Sequence, residues 1–267
     1  MTATTRRTRL FDRLTRVAGA VVLVLILGFL LLPPLFVGVL SFANQEHFGF
    51  PPQEWGFRQY IEIGDSPAWG RAVLYSIGLA VPVAVLSVLI VVPAVLAIER
   101  SKLPGRRGIQ AAGMSSLIIP IVAYAVAMYG VYAEVGLLGS YLGLVLANTI
   151  LAIPFVLVTA GAALSQIPPD LELAAMTFGA SRFRAWWQIT LPLLLPAIFA
   201  GSLLAFVTSF DEAVFINFLG GAGQVTLPKA IFDSVRIGVD PVITAISTIF
   251  MVATSALMYL VARLRRR

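Results

Sequence analysis

Six long apolar stretches alternate with short polar segments along this chain. Each is long enough to cross the apolar layer of a bilayer, which takes about 20 residues of helix. We place the predicted helices at residues 17–42, 72–98, 109–133, 141–164, 193–218 and 242–262. Several contain prolines, which are tolerated in lipid because neighbouring helices satisfy the carbonyl groups that proline frees. The pattern predicts an all-α membrane protein with one transmembrane domain over residues 1–267.

The first apolar stretch also has features of a secretory signal peptide. Five arginines precede it, and Ser41-Phe42-Ala43 has the small-x-small form of a cleavage site. However, the apolar run from Val17 to Leu40 is longer than the roughly 7–15 residues usual in a signal peptide. We therefore interpret it as a retained transmembrane helix.

The basic residues predict which side of the membrane each loop occupies. Fifteen of the 19 Lys and Arg residues lie at the two termini and in the loops 99–108 and 165–190, and four lie on the opposite side. Cytoplasmic loops carry this excess, so both termini and the loop 165–192 are predicted to be cytoplasmic. Nine of the 13 acidic residues lie on or near the outer side, where they would attract cations. Acidic residues are also simply less constrained by topology, and this explanation stays open.

Composition excludes several classes of function. The chain is 59% apolar and 12% charged, as in a membrane protein, and its net charge of +6 lies beside the apolar segments, which favours membrane orientation over nucleic-acid binding. It has no cysteine and one histidine, His47, which excludes disulfides, thiolate sites and multi-histidine metal sites. Its only lysines, Lys102 and Lys229, stand outside any Gly-Lys-Ser/Thr phosphate loop. We predict that the chain is not an enzyme.

An acidic pair, Asp211-Glu212, interrupts the fifth predicted helix. Counted from Leu193, Asp211 lies 18 residues along that helix, or about 27 Å. A carboxylate at the centre of a bilayer costs about 2.5–3.5 kcal/mol, so both acids should face water or a partner. One interpretation is an acid-lined route for a cationic or amine-bearing solute, and the other is a structural pair with Lys229 or Arg236.

Other polar residues within predicted helices are candidates for the same path. The translocation residues that we predict are Thr208, Ser209, Asp211, Glu212 and Asn217. Asn148 and Thr149 in the fourth helix, and Glu134 near the end of the third, are further candidates, although such residues more often join helices to one another.

The loop 165–192 is polar, basic and aromatic, with Gly179 near its centre. We expect Asp170 to cap a first short helix and Gly179 to end it in the left-handed conformation. Ser181 would cap a second helix, and Pro192 would force a new start. Leu171, Ala174, Ala175 and Phe178 share the helical spacing of one apolar face, which needs a docking partner.

The aromatic and basic half of this loop admits a different interpretation. It contains Arg182, Arg184, Trp186 and Trp187. These residue types suit an amphipathic helix lying on an anionic membrane surface. Residue chemistry alone favours that interpretation over docking on a soluble partner.

Residues 172–196 resemble the EAA loop of ABC importer permeases. The matching residues are Ala174, Ala175, Gly179, Ile189, Leu191 and Pro192. Leu173 stands where the motif usually has Glu, with Glu172 one position early, and Thr177 replaces a frequent Asp. The resemblance implies a coupling helix that contacts a separate ATPase through Glu172, Ala174, Ala175, Phe178, Gly179, Ala180 and Arg182.

Three further segments are similar to the second permease of spermidine/putrescine-type uptake systems. They are residues 209–213, 226–229 and 237–241, and residues 55–76 are similar as well. The resemblance implies a type I importer fold in the bacterial inner membrane, a paired and usually different permease, two ATP-binding subunits and an external solute-binding protein. ATP and Mg would bind the partner ATPase, and this chain would bind no cofactor.

The resemblance implies a polyamine such as spermidine or putrescine as the solute. Related permeases carry other small organic solutes, including aminophosphonates, opine-like amines and iron chelates, so these stay open. A self-contained channel or secondary carrier, or a membrane scaffold protein, are alternatives of a different class.

Overall fold

A computed structural model of the chain describes residues 3–45, 49–101, 104–238 and 240–264. All regular elements in these ranges are helical, apart from one isolated antiparallel bridge between Ala43 and Trp55. The chain divides into two compact units, residues 1–67 with 234–267, and residues 68–233.

The helices follow one another with short connections. In chain order they are α1 (Ala3–Leu40), α2 (Arg58–Asp65), α3 (Pro67–Arg100), α4 (Arg106–Met114), α5 (Ile121–Val135), α6 (Tyr141–Gln166), α7 (Asp170–Thr177), α8 (Arg182–Ala185), α9 (Leu191–Phe210), α10 (Val214–Leu219), α11 (Leu227–Ile237) and α12 (Val242–Leu264). A 3₁₀ turn, Ser115–Leu117, follows α4, and a π turn, Trp186–Thr190, joins α8 to α9.

Four helices are long and apolar enough to cross a membrane in the described ranges, and a bent pair would make a fifth. The four are Thr15–Leu40, Pro67–Arg100, Tyr141–Gln166 and Arg182–Phe210. They correspond to the first, second, fourth and fifth predicted helices. The sixth coincides with α12, whose described apolar part, Val242–Ala256, is shorter. An all-helical fold with several apolar helices of spanning length is thus confirmed for the described residues, while the count of six spans stays a prediction.

The third predicted helix is broken rather than continuous. Arg106–Leu117 and Ile121–Val135 meet at an angle of 106°. Pro120 occupies the N-cap of α5, and its ring denies the backbone a donor while disfavouring helical geometry at Ile119. The apolar pattern runs through this break, which is why hydropathy alone predicted a single helix.

The fifth predicted helix differs at both ends. The continuous span begins at Arg182 instead of residue 193, and within it α9 begins at Leu191, next to the new start that we predict at Pro192. The Leu191 N–H donates to the Trp186 carbonyl, five residues back, and this wide π turn lets the helix run on into Pro192, which takes an early position of α9. The helix then stops at Phe210 instead of continuing to residue 218.

The core of unit 68–233 lies around α6 and α9. In the most apolar stretch of α6, 61% is buried, whereas in the helix Arg182–Phe210, which contains α9, the buried share is 22%. Helix α6 is therefore the central helix of this unit. Buried aliphatic residues such as Leu144, Val156 and Leu164 on α6 pack with Leu194 and Ala205 on α9.

In the other unit, α12 packs against both α1 and α2. The segment that connects α1 to α2 is held to α2 by two contacts. The Phe42 and Tyr60 rings lie 5.4 Å apart, and the Ser41 and Tyr60 hydroxyls form a hydrogen bond of 2.8 Å. None of the most apolar stretch of Thr15–Leu40 is buried, as expected of a helix whose sides face lipid.

Candidate functional site

Two candidate sites lie at opposite ends of α9. Its 20 residues span about 30 Å. At its C-terminal end the helix breaks at the acidic pair, and at its N-terminal end it joins the loop between α6 and α9, hereafter the α6–α9 loop (residues 167–190).

The acidic pair lies in a break between two helices and not inside one. Asp211 is the C-cap of α9 and is exposed, whereas Glu212 is buried, with 6% of its surface accessible. One Glu212 oxygen accepts hydrogen bonds from the backbone N–H groups of Val214 and Phe215, and the other also accepts from Phe215 at 2.9 Å. Glu212 therefore caps the short helix α10, because it satisfies donors that the first turn leaves unpaired.

A cavity of about 610 Å³ opens at this break. Its lining comes from both interruptions of the fold, with Ser116 and Ile119 from the α4–α5 bend and Thr208, Asp211 and Glu212 from the end of α9. The remaining lining is largely aliphatic and aromatic. The Ser116 hydroxyl is buried and has no hydrogen-bond partner among the described residues. A mostly apolar cavity with one free carboxylate suits an alkyl chain that carries an ammonium group.

The other predicted path residues lie apart from this cavity lining. Ser209 is buried, and its hydroxyl finds no partner in the described part of the chain. Asn217 is exposed and accepts a hydrogen bond of 3.0 Å from Lys229, whose ammonium also binds Asp233 at 2.9 Å. Lys229 thus joins α10 to α11, and the structure does not show the suggested pairing of Lys229 with the acidic pair.

The three additional candidates lie elsewhere in the structure. Asn148 and Thr149 are buried in α6 and donate to carbonyls one turn back, those of Leu144 and Val145. Glu134 is exposed near the end of α5. None of the three lines the cavity at the acidic pair.

The α6–α9 loop contains two helical segments around Gly179, as predicted. Gly179 adopts a φ of +92°, a conformation that side-chain-bearing residues rarely take, and it follows the end of α7. The Ser181 hydroxyl accepts the Arg184 N–H at 3.2 Å and so caps α8, also as predicted. Asp170 is already helical and makes no capping hydrogen bond, so the expectation that it caps α7 is wrong.

The exposed side of α7 carries large apolar residues beside the polar residues Asp170 and Thr177. Phe178 is 93% exposed, Leu171 42% and Leu173 53%, and Ala174 is exposed beside them. Of the other predicted coupling residues, Gly179 and Arg182 are exposed, while Ala175 and Ala180 are half-buried. The predicted face is therefore present, but Ala175 turns partly inward and Leu173 takes its place.

Glu172 is buried and faces away from the exposed coupling residues Ala174 and Phe178. Its carboxylate accepts hydrogen bonds from Arg100 Nε at 3.1 Å and from the Thr190 hydroxyl at 2.7 Å. The resemblance implies that Glu172 contacts a partner ATPase, and the sequence analysis does not predict Arg100 or Thr190 as its partners. The sequence did contain a sign of this pairing. Glu172, Ala175 and Met176 share one helical face, and a carboxylate that is buried beside apolar residues needs a hydrogen-bonding partner.

Aromatic residues lie in the second half of this loop. Phe183 and Trp187 are exposed, with rings 6.2 Å apart, whereas Trp186 is half-buried. The described residues contain no cluster of three or more His, Cys, Asp or Glu side chains that could hold a metal ion.

Comparison with known proteins gives one family and several relatives. Residues 68–267 match the family described as binding-protein-dependent transport system inner membrane components. The chain is 27% identical to the spermidine/putrescine transport system permease protein PotC of Haemophilus influenzae, covering 88% of this chain and 91% of that one. It is 29% identical to the putrescine transport system permease protein PotI of Escherichia coli K12, covering 92% of each.

A further relative has a different named solute. The molybdenum transport system permease protein ModB of Mycobacterium tuberculosis is 31% identical over 73% of this chain and 79% of its own length. Among solved structures, a chain of a bacterial ABC transporter involved in the import of the acidic polysaccharide alginate matches with a TM-score of 0.70 at 16% identity, covering 96% of each chain. A second structure of the alginate transporter, in complex with a pentasaccharide-bound periplasmic protein, matches with a TM-score of 0.68 at 19% identity, covering 98% of this chain and 96% of that one. At these identities the structural matches bear on the fold alone.

Proposed function

Because the chain belongs to the family of binding-protein-dependent transport system inner membrane components, we propose that it forms half of the translocation path of an ATP-driven importer of polyamines. A second permease, which is a different chain, supplies the other half. Two ATP-binding subunits drive the pair from the cytoplasm, and a solute-binding protein delivers the solute from outside. ATP and Mg bind the ATPase, and the permease itself is not catalytic.

The exposed apolar face of α7 is the observation that carries this proposal. A side chain such as Phe178, 93% exposed, is costly to leave in water, since burying a side chain of this size is worth about 1.5–3 kcal/mol. Gly179, with its φ of +92°, ends α7 after eight residues, so the exposed apolar residues lie on one short helix and its end. The excess of basic residues predicts that the loop is cytoplasmic, where an ATPase is available to cover it.

The aromatic residues beyond Gly179 are consistent with a second contact in the same region. Phe183 and Trp187 are exposed next to Arg182 and Arg184, which is the composition of a membrane-surface helix. In this proposal α7 contacts the ATPase, and the start of the α8–α9 helix lies at the level of the lipid headgroups.

The solute that we propose is a small organic polycation such as putrescine or spermidine. Two permeases named for these solutes are similar over about nine-tenths of the chain. The similarity to a permease named for molybdenum transport shows that overall likeness leaves the solute open. The choice of a cation rests on exposed Asp211 at the mouth of a cavity of about 610 Å³, with apolar walls for the methylene chain. Another amine-bearing solute would use the same features.

Co-purification tests the importer assignment. We expect the full chain, extracted from its own host in mild detergent, to retain an ATPase that hydrolyses ATP. Gly179→Val, which forces a branched residue into a φ of +92°, should disrupt the end of α7 and release that ATPase. Gly161→Ala in α6, where an added Cβ meets nothing within 4 Å, is the matched control and should keep it.

Reconstitution separates the importer from a channel or secondary carrier. In liposomes that contain the whole complex and its binding protein, uptake of radiolabelled putrescine should require ATP. Uptake by this chain alone, in liposomes without ATP, would refute the proposal. A complex that takes up another amine and not putrescine would retain the importer and correct the solute.

A further inference from the structure

Two helix ends meet at the carboxylate of Glu172, and a third is joined to it through Arg100. Arg100 is the last residue of α3, and its Nε donates to Glu172 Oε1 at 3.1 Å. Its Nη2 donates at 2.6 Å to the carbonyl of Ile167, the residue that follows α6. Thr190, the last residue of the π turn before α9, donates to the same Oε1 at 2.7 Å. Glu172 is thus hydrogen-bonded to the end of α3 and to the start of α9, and it is joined through Arg100 to the end of α6.

This cluster is shielded from water. The Arg100 and Glu172 side chains are 16% and 12% exposed, and Thr190 is fully buried. Hydrogen bonds that involve charged groups are stronger than neutral ones, and low local polarity strengthens them further. A buried pair of this kind resists separation, because removing one partner leaves the other charge buried and unpaired.

We propose that Glu172 is a positioning residue that locks α7 to the cytoplasmic ends of α3, α6 and α9, so that a force on the exposed face of α7 moves the three helices together. Glu172 then acts through its neighbours and not by touching the ATPase. The proposal deepens the proposed function and rests on it, because the force is supplied by the ATPase that would dock on Leu171, Leu173 and Phe178.

A matched control lies on the same helix. Asp170 is an exposed acidic residue two positions before Glu172 and makes no capping hydrogen bond. Asp170→Asn removes the same charge as Glu172→Gln without touching the cluster. The double variant Arg100→Gln/Glu172→Gln removes both charges, so it tests whether the two residues act as a unit.

The lock itself can be measured without any partner. The chain has no cysteine, so spin labels at Glu99→Cys and Thr177→Cys, both exposed, report one distance across the cluster in the full chain in nanodiscs. We expect a narrow distance distribution in the labelled parent and in Asp170→Asn, and a broad one in Glu172→Gln. The double variant should be no broader than Glu172→Gln. An unchanged distribution in Glu172→Gln would overturn the proposal, and so would equal broadening in Asp170→Asn.

The consequence for coupling is measured in the complete complex. In Glu172→Gln we expect the ATPase to stay bound and to hydrolyse ATP, while putrescine uptake per ATP falls about tenfold. A tenfold change is within the range of the interaction energies measured between residues of one hydrogen-bond network. Uptake per ATP in Asp170→Asn should stay within about twofold of the parent. Unchanged uptake per ATP in Glu172→Gln would overturn the coupling role. If the parent chain binds no ATPase, the proposed function fails, and the label distances still decide whether the lock exists.

Discussion

Gly201 of α9 lies against Thr159 of α6 with no room for a methyl group between them. A Cβ at Gly201 would lie 3.0 Å from the Val156 Cα and closer still to the Thr159 hydroxyl. That hydroxyl is fixed, because it donates to the carbonyl of Phe155 at 2.8 Å. Small residues at helix crossings let backbones approach closely in membrane proteins, where packing is a main source of helix association. The α6–α9 crossing at the centre of this unit depends on that contact.

We expect Gly201→Ala to lower the thermal stability of the purified chain. Overpacking a close contact costs about 1–3 kcal/mol, and here the obstacles are a backbone atom and a fixed hydroxyl. The melting temperature, followed by tryptophan fluorescence in detergent, should fall by several degrees. Gly161→Ala on α6 has open space and should melt at or above the parent temperature. Equal melting of Gly201→Ala and the parent would contradict the packing described for α9.

Glu212 should matter for folding at the break. It caps α10 by accepting the backbone N–H groups of Val214 and Phe215. Glu212→Ala removes this acceptor, and loss of such a cap costs about 0.5–2 kcal/mol. We expect faster hydrogen–deuterium exchange in residues 214–219 and a lower melting temperature. Glu134→Ala, at an exposed acid near the end of α5, should change neither. Slow exchange of residues 214–219 in Glu212→Ala would show that the cap is dispensable.

Asp211 should matter for the solute instead. It is exposed at the cavity, and Asp211→Asn keeps its size while removing its charge. We expect the KM for putrescine in the reconstituted complex to rise about tenfold, since an ion pair at a protein surface is worth a few kcal/mol at most. The melting temperature should not change. Asp65→Asn, at an exposed acid of α2, is the control. A parent-like KM in Asp211→Asn would remove this residue from the path.

Phe178 should be required to hold the ATPase. Because it is 93% exposed, Phe178→Asp costs the free chain little, but it places a charge in a contact that would exclude water. We expect the ATPase to be lost on purification while the melting temperature is kept. Thr177→Asp introduces the same charge one residue away, where related loops often have Asp, and should retain the ATPase. Retention in both variants would mean that α7 is not the docking helix.

The sequence was sufficient where one physical signal dominated a segment. The uninterrupted apolar runs predicted α3 and α6 to within a few residues, and Gly179 and Ser181 predicted the two helices of the α6–α9 loop. Here local chemistry decides local structure, because a positive φ favours glycine and a free N–H at a helix start favours serine.

The breaks and the pairings could not be obtained in this way. Hydropathy is continuous across Ile119–Pro120, and the acidic pair Asp211-Glu212 is a short interruption of an otherwise apolar run, so both breaks were predicted as helix. The partners of Glu172 are 72 and 18 residues away, and no local rule connects them. Glu172 was assigned to the docking face because of its motif position, although it shares a helical face with half-buried Ala175 and Met176.

The π turn at Trp186–Thr190 has a consequence for the spacing of the chain. A π turn holds one residue more than the α-helical path would, and one residue corresponds to a rotation of about 100° in an α-helix. Because the wide turn absorbs that residue locally, deleting one residue there would let α8 and α9 join as an ordinary α-helix with the two helices still in phase. A deletion within α9 has no wide turn to absorb it, so it would rotate Thr190 and Asp211 relative to one another by about 100°. Either Thr190 would then leave Glu172, or Asp211 would turn away from its cavity. We therefore expect a one-residue deletion to be tolerated better within the π turn than within α9.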